Sequence, residues 1–428
     1  MDSKLKRFIQ SLGPGILFAS TAIGVSHLVQ STRAGASFGF GLLWLVLLAN
    51  LLKWPFFEFG SRYAVATGES LIDGYRKTGR WMLWIYLIIT VISMFFVGAA
   101  VGAVTAGFMD NLFQISATWG AGSLIYTTGA LFGTCIVILG FGKYSALDKI
   151  IKVVGFVLLI STLAAVAITA FKGPATQALP FFSPEVFDLN SSSFAFVIAL
   201  MGWMPTAVDL STWNSLWTLE RAKQLKQKPS LKETLREFNL GYGISALLAP
   251  CFMLLGAYIL FGTGQKMPQG SAGFASSVID LYTQSIGAWS RPIITAAAFS
   301  IMFGTCLGVF DGYSRSMERV FLLLSPNQKQ TKGLGFTSNS VVYLLMLLAV
   351  GLGAFLIIFQ FGNSLKKLVD IATTLSFVMA PLIAAINLKL VTAKSFPAKA
   401  RPSKALLILS YTGLVFLTAF ALIYLIWA

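Results

Sequence analysis

Along most of this 428-residue chain, polar residues gather in short clusters separated by long, uninterrupted apolar runs. A helix that crosses a bilayer needs about 20 mostly apolar residues. Runs of that length predict eleven spans, at roughly 13–34, 39–61, 82–109, 120–141, 150–171, 192–219, 239–262, 287–314, 338–359, 367–388 and 405–427. The runs are continuous, whereas a membrane β-strand alternates over about 10 residues, so helices are the expected spanning element. The pattern reads as an all-α polytopic membrane protein. Lys4, Lys6 and Arg7 precede the first run, and no small-residue cleavage site follows a short apolar core. The first span is therefore expected to be a retained helix and not a signal peptide.

Composition narrows this picture. Hydrophobic residues make up 56% of the chain and charged residues 11%, against about 25% charged in soluble domains. Because a single soluble core stops growing near ~250–300 residues, a soluble globular protein is excluded, as are a disordered chain and a disulfide scaffold. The net charge of +16 is explained by topology. With the N-terminus inside, 25 basic residues fall on the cytoplasmic side and six outside (Arg33, Lys172, Lys266, Arg291, Lys366, Lys367), while Lys53 lies within a span. That asymmetry obeys the positive-inside rule. It predicts a cytoplasmic N-terminus and an outside C-terminus, in a bacterial inner (plasma) membrane, with membrane lipid as the surrounding partner and no nucleic-acid role. Cys135, Cys251 and Cys306 all sit in apolar spans and read as small buried hydrophobes. No CxxC or Cys/His cluster suggests zinc or an iron–sulfur centre.

The expected organisation is spans 1–6 in residues 1–219, a basic cytoplasmic loop at 220–237, spans 7–10 at 238–390 and span 11 at 391–428. Spans 1–5 (13–171) form one five-helix unit and span 6 opens a second of opposite orientation, as an inverted-repeat transporter requires. The first helix of each unit is interrupted. Span 1 carries Gly13-Pro14-Gly15 and then Thr21 to His27, including Gly24 and Ser26. Span 6 carries Met201, Met204-Pro205-Thr206, then Asp209, Ser211, Thr212 and Asn214. Pro205 removes one backbone hydrogen bond and frees a carbonyl near Met201. Non-helical backbone at membrane depth survives only where protein or a cavity satisfies it, so the paired interruptions point to a midplane site, with a simple proline kink as the alternative. Ionisable residues inside spans are costly. His27, the only histidine, and Asp209 are read either as site residues or as packing and capping groups. Glu58, sharing span 2 with Lys53, reads as structural, either snorkelling to the cytoplasmic end or pairing with Arg62. Thr305 and Asp311 of span 8 either line the pathway or join helices, and Asp370 of span 10 is equally open.

Taken in order, these residues resemble the NRAMP family, the proton-coupled divalent metal transporters of the LeuT-type fold. Gly13-Pro14-Gly15 followed by Arg33-Ala34-Gly35-Ala36 resembles family helix 1, and Arg62 to Gly68 resembles the end of helix 2. The match continues through Thr105-Ala106 to Trp119-Gly120, Gly142 to Asp148, Met204-Pro205, Met317-Glu318 and Pro381. The resemblance implies a 5+5 inverted repeat plus an eleventh helix, with helices 1 and 6 broken. It departs at the chemistry. The family's Asp-Pro-Gly-Asn in helix 1 becomes Gly24-Val25-Ser26-His27, the helix 6 histidines become Thr206 and Ser211, and the helix 3 acids align with Gly98 and Val101. The helix 6 methionine sulfur and backbone carbonyl remain, as Met204 and Met201.

The resemblance implies a secondary transporter working by alternating access on a divalent transition-metal cation. Its metal ligands would be His27, Met204 and Met201, within a substrate site of Thr21, Gly24, Ser26, His27, Met201, Met204, Thr206 and Asp209. Ser211, Thr305 and Asp311 are candidate pathway or coupling residues. The alternative is a small organic solute moved with a coupling cation. A proton or sodium is the coupling ion to expect, with no resident cofactor. A membrane sensor or passive channel on the same scaffold is a further alternative. No nucleophile–base constellation or P-loop suggests an enzyme or a nucleotide-driven pump.

Overall fold

A computed structural model describes residues 13–120, 122–141, 144–176, 179–189, 191–224, 230–265, 267–325, 341–361 and 364–427. Lys4, Lys6, Arg7, Gly142, Lys143, Lys226, Lys228, Lys266, Lys329 and Lys332, which enter the charge and motif readings, lie outside the described residues, as do the side chains of 144–154. No strand occurs among the described residues. Among the described residues, nine helices are long and apolar enough to cross a membrane. Spans 1 and 6 complete the set of eleven, each divided into shorter pieces.

Span 1 consists of α1 (Pro14–Ala22), a π-helical turn (Ser26–Ser31) and α2 (Thr32–Phe38). Spans 2 and 3 are α3 (Leu43–Thr67) and α5 (Arg80–Phe113), with the short α4 (Leu71–Thr78) between them. After α6 (Ile115–Trp119), spans 4 and 5 are α7 (Ser123–Gly140) and α8 (Tyr144–Lys172). Span 6 is α9 (Ser192–Gly202) and α10 (Leu210–Gln224). Span 7 is α11 (Leu231–Ile259), followed by α12 (Ser271–Ile286). Spans 8 to 11 are α13 (Arg291–Leu324), α14 (Val341–Phe361), α15 (Leu365–Thr392) and α16 (Lys404–Trp427).

Several boundaries differ from the hydropathy reading. Most of the expected 220–237 loop is helical, since α10 runs to Gln224 and α11 begins at Leu231. Ser230 and Glu233 form a reciprocal capping box at that start, which satisfies the first amides of a helix whose opening turns are charged. The polar-laced α12 lay in an expected loop because it is too short and too mixed to read as a span. It packs on α5 and α8.

At the centre, α5 lies along α13, and α14, α12 and α15 pack around α5. Both pieces of span 1 pack on α11, α9 packs on α15, and α10 packs on α3. Span 1 and α11 meet backbone to backbone. A Cβ on Gly35 would stand 1.9 Å from the Met253 carbonyl, and one on Gly241 would stand 2.0 Å from that of Gly15. Such small-residue contacts let helices approach closely where apolar side chains gain nothing by leaving lipid. Exposed Leu352, Leu356, Phe359, Val415 and Ile426 on α14 and α16 form the apolar exterior that a bilayer requires.

One end of the bundle is held by charge pairs. Arg62 pairs with Glu58 at 2.6 Å and donates to the Ala400 carbonyl at 2.7 Å. Arg319 pairs with Asp73. Glu237 accepts from the amides of Gly13 and Gly15 at 2.8 and 2.7 Å, which ties the start of span 1 to α11. The three cysteines are free and buried.

Candidate functional site

Span 1 is interrupted where Gly24 sits beside Thr305 of α13. A Cβ on Gly24 would stand 2.8 Å from Thr305 Cγ2 and 2.9 Å from its Oγ1. The Thr305 hydroxyl lies 2.9 Å from the Ser20 carbonyl and 3.3 Å from that of Ile23. Its single O–H, which also has the Ile301 carbonyl at 3.1 Å, is placed to donate to the nearest of them, that of Ser20, at the end of α1 where helical partners run out. His27 follows and is fully buried. Its Nε2 lies 2.9 Å from the Ser245 carbonyl and its Nδ1 2.7 Å from Ser26 Oγ. A carbonyl only accepts, so Nε2 carries the hydrogen and Nδ1 accepts from Ser26. Both ring nitrogens are occupied, and the ring is directed at α11.

Span 6 opens over a longer stretch. α9 stops at Gly202, α10 starts at Leu210, and the Met204–Pro205 bond between them is cis. Three carbonyls of this region converge on one cation. Lys53 Nζ, from α3, donates to Met201 O at 2.8 Å, Gly202 O at 2.9 Å and Thr206 O at 3.0 Å. Lys53 is completely buried. The break is further held by Trp203 Nε1, which donates to Ser376 Oγ at 2.8 Å, and by Asp209, whose carboxylate accepts from the Tyr313 hydroxyl at 3.3 Å.

Between the two breaks lies a cavity of about 30 Å³, room for about two waters. Span 1 contributes Thr21, Ala22, Val25 and Ser26 to its wall; span 6 contributes Trp203, Thr206, Ala207, Leu210 and Trp213; span 8 contributes Thr305, Val309 and Tyr313; and span 3 contributes Val97 and Val101. An adjoining pocket of about 10 Å³ is lined by Asp209, Ser93, Ser376 and apolar residues. Tyr313 stands between the two, with its hydroxyl also 3.4 Å from Ser93 Oγ. The Trp213 indole N–H is buried and has no hydrogen-bond partner.

The predicted residues are thus divided. Thr21, Ser26, Thr206 and Thr305 come together around the cavity, and Asp209 lies in the neighbouring pocket. Gly24, His27, Met201 and Met204 do not line it. Gly24 packs on Thr305, His27 is bonded to α11, the Met201 carbonyl is taken by Lys53, and Met204 is fully buried. The ligand set His27, Met201 and Met204 is therefore not presented as one open site. Ser211 accepts from Asn387 at 2.8 Å in a contact between α10 and α15. Asp311 accepts from Arg315, Trp217 and Tyr343 at 2.8–2.9 Å and joins α13, α10 and α14. Among the described residues, no three His, Cys, Asp or Glu side chains converge to hold a metal. Sequence reasoning missed Trp213 and Tyr313, and it did not give Lys53 a role. Only Lys53 carried a signal, as a lone ammonium in mid-span.

A vestibule of about 850 Å³ opens at the end of the bundle where α2 finishes, lined by α2, α9, α15 and α16. Arg33 and Asp370 lie in its wall and pair through two hydrogen bonds of 2.6 and 3.0 Å. Gln30 donates to Asp370 and to Thr373, each at 3.3 Å, and the Arg33 guanidinium stacks 4.8 Å from the Phe196 ring centre. Lys366 and Lys367 also line the vestibule.

Residues 15–428 match the model of the natural resistance-associated macrophage protein-like (Nramp) family. The uncharacterized protein PM0681 of Pasteurella multocida is 34% identical over 97% of this chain and 91% of its own length. The divalent metal cation transporter MntH of Lacticaseibacillus casei is 22% identical over 66% of this chain and 61% of its own. A crystal structure of the Eremococcus coleocola manganese transporter superposes with a TM-score of 0.68 at 15% identity, covering 99% of this chain and 87% of that one. That likeness shows the fold, which is the LeuT-type fold.

Proposed function

Because the chain belongs to the Nramp family, whose members are integral-membrane transporters of divalent metal cations and not enzymes, we propose that it is a secondary transporter working by alternating access, with a small polar organic solute as its substrate. Two broken helices facing a small closed cavity beneath a wide vestibule support alternating access. In the expected orientation the vestibule faces outside, and the Arg33–Asp370 pair is the gate that must part before a solute reaches the cavity.

The observation that carries the substrate class is the cavity wall. It offers the hydroxyls of Thr21, Ser26, Thr206 and Thr305, the aromatic faces of Trp203, Trp213 and Tyr313, and no carboxylate. Trp213, one of these residues, has a buried N–H without a hydrogen-bond partner. A donor repels a metal ion but is satisfied by a carbonyl or carboxylate oxygen of a solute. Stripping water from a divalent cation without an anionic ligand is expensive, and hard cations want six or more oxygen ligands. At 30 Å³ the cavity is an occluded resting volume that must widen to admit the solute.

The metal reading is favoured by one observation: Asp209 lies behind Tyr313, next to the cavity, on the same broken span as the buried Met204. A rotation of span 6 that brought both forward would recreate a soft, singly charged metal site.

Reconstituted protein separates the two. Uptake of a small zwitterionic or hydroxylated solute, weakened about tenfold in affinity by Trp213→Phe (one hydrogen bond, ~1.4 kcal/mol), supports the solute reading. Saturable Mn²⁺ entry that quenches a trapped fluorophore and is lost in Asp209→Asn establishes the metal reading instead.

A further inference from the structure

The carbonyls freed by a broken helix are the ordinary binding site of a small cation in this type of architecture. In this chain three of them are filled by a side chain. We propose that the Lys53 ammonium is a tethered cation that occupies a monovalent-cation site in the span 6 break, taking the place of an inorganic ion there. The inference rests on the transporter reading only for its consequence, that no sodium or metal ion is needed in this break.

Three features carry it. First, the stoichiometry closes: an ammonium has three N–H donors, and Lys53 Nζ meets three carbonyls, Met201, Gly202 and Thr206, at 2.8–3.0 Å. Second, those carbonyls come from both sides of Pro205, so the cation bridges the end of α9 and the loop leading to α10. Their distances are longer than the ~2.3–2.6 Å that calcium takes from oxygen, so the cradle is sized for an ammonium-like ion. Third, the charge is delivered from α3, an unbroken helix, and Lys53 is fully enclosed. A buried charge of this kind is retained only when paired or surrounded by dipoles. Asp209 lies near enough to interact electrostatically with it.

A structural clip and a filled ion site differ in one property. If the cradle is a cation site, removing the tether leaves it open to free ions of the same chemistry. The test is thermal unfolding of the purified full-length chain at constant ionic strength, in choline, sodium, ammonium or methylammonium chloride. The wild type is expected to show the same midpoint in all four. Lys53→Ala is expected to melt lower and to recover at least half of the loss, saturably, with ammonium or methylammonium but not with choline. Equal recovery in choline, or none in any salt, overturns the proposal. Lys53→Met is a second variant in case Lys53→Ala does not fold; lacking the cavity, it is expected to be destabilised without rescue. Should neither variant fold, the wild type decides alone: a saturable rise in its midpoint with sodium overturns the proposal, and its absence upholds it. No transported solute is present in these measurements, so a wrong substrate assignment leaves this outcome untouched.

Discussion

The breaks in spans 1 and 6 occupy corresponding places in the two units, yet they are completed by different means. In span 1 only Ile23 to Val25 lie between the helical pieces. A neutral hydroxyl from α13 serves a freed carbonyl, and a histidine pins the following turn to α11. In span 6 seven residues separate α9 from α10, and a full positive charge from α3 gathers three carbonyls. A short break leaves few orphan groups, which one dipole satisfies. A long break gathers enough carbonyl dipoles to stabilise a cation. The cavity between them therefore has one wall closed by neutral bonds and one closed by charge, and the second is where removing a single side chain does the most damage.

Four substitutions test that contrast. The largest effect is expected for Lys53→Met, which leaves the Gly202 and Thr206 carbonyls unpartnered, at about 1–3 kcal/mol each, and the Met201 carbonyl with only the Met204 amide at 3.3 Å. A drop in thermal midpoint no greater than that of Thr305→Val would erase the asymmetry between the breaks. His27→Phe comes next. It roughly keeps the ring volume but removes the bond to the Ser245 carbonyl, for about 1–3 kcal/mol, while the Ser26 hydroxyl retains the Ala22 carbonyl at 3.0 Å. If His27 instead serves as a metal ligand, the variant loses Mn²⁺ binding without comparable destabilisation, and calorimetry on the two proteins tells these apart. Thr305→Val removes one hydroxyl, is expected to cost about 0.5–1.5 kcal/mol, and should be fully compensated in Thr305→Ser; a larger loss in the serine variant would show that packing on Gly24 matters more than the hydrogen bond. The smallest stability change, under about 1 kcal/mol, is expected for Asp370→Asn, because that pair is partly exposed to the vestibule. Its effect should appear as access. In a Ser376→Cys background, a membrane-impermeant thiol reagent is expected to react faster once Asp370 is neutralised. The native cysteines are buried and supply little background, and an unchanged rate would remove Arg33–Asp370 as the gate.

Much of this architecture was readable beforehand because membrane insertion writes itself into composition. Each span must be apolar for about 20 residues whatever it packs against, so the eleven spans were visible one at a time. The two breaks were also visible, since Pro205 and Gly24 interrupt helices for local backbone reasons. Within the site, Thr21, Ser26 and Thr206 could be named because they flank those interruptions. His27, Met201 and Met204 could not be oriented. Whether a side chain on a broken helix faces a cavity or a neighbouring helix depends on the rotation of that helix, which no local pattern encodes. Lys53 was legible as an anomaly and not as a solution, because its partners lie about 150 residues away.

The amino-acid sequence by itself determined that the chain crosses a membrane many times, where the crossings run, and which two of them are broken. These are consequences of hydrophobic length and of proline and glycine backbone chemistry, both local. Only the tertiary structure decided what completes the breaks. A freed carbonyl must find a donor, and in the interior the nearest donor is supplied by whichever helix packs there, α13 for span 1 and α3 for span 6. The same packing turned His27 toward α11 and left the Trp213 N–H without a partner, so the character of the site was set by contacts between segments far apart in the chain.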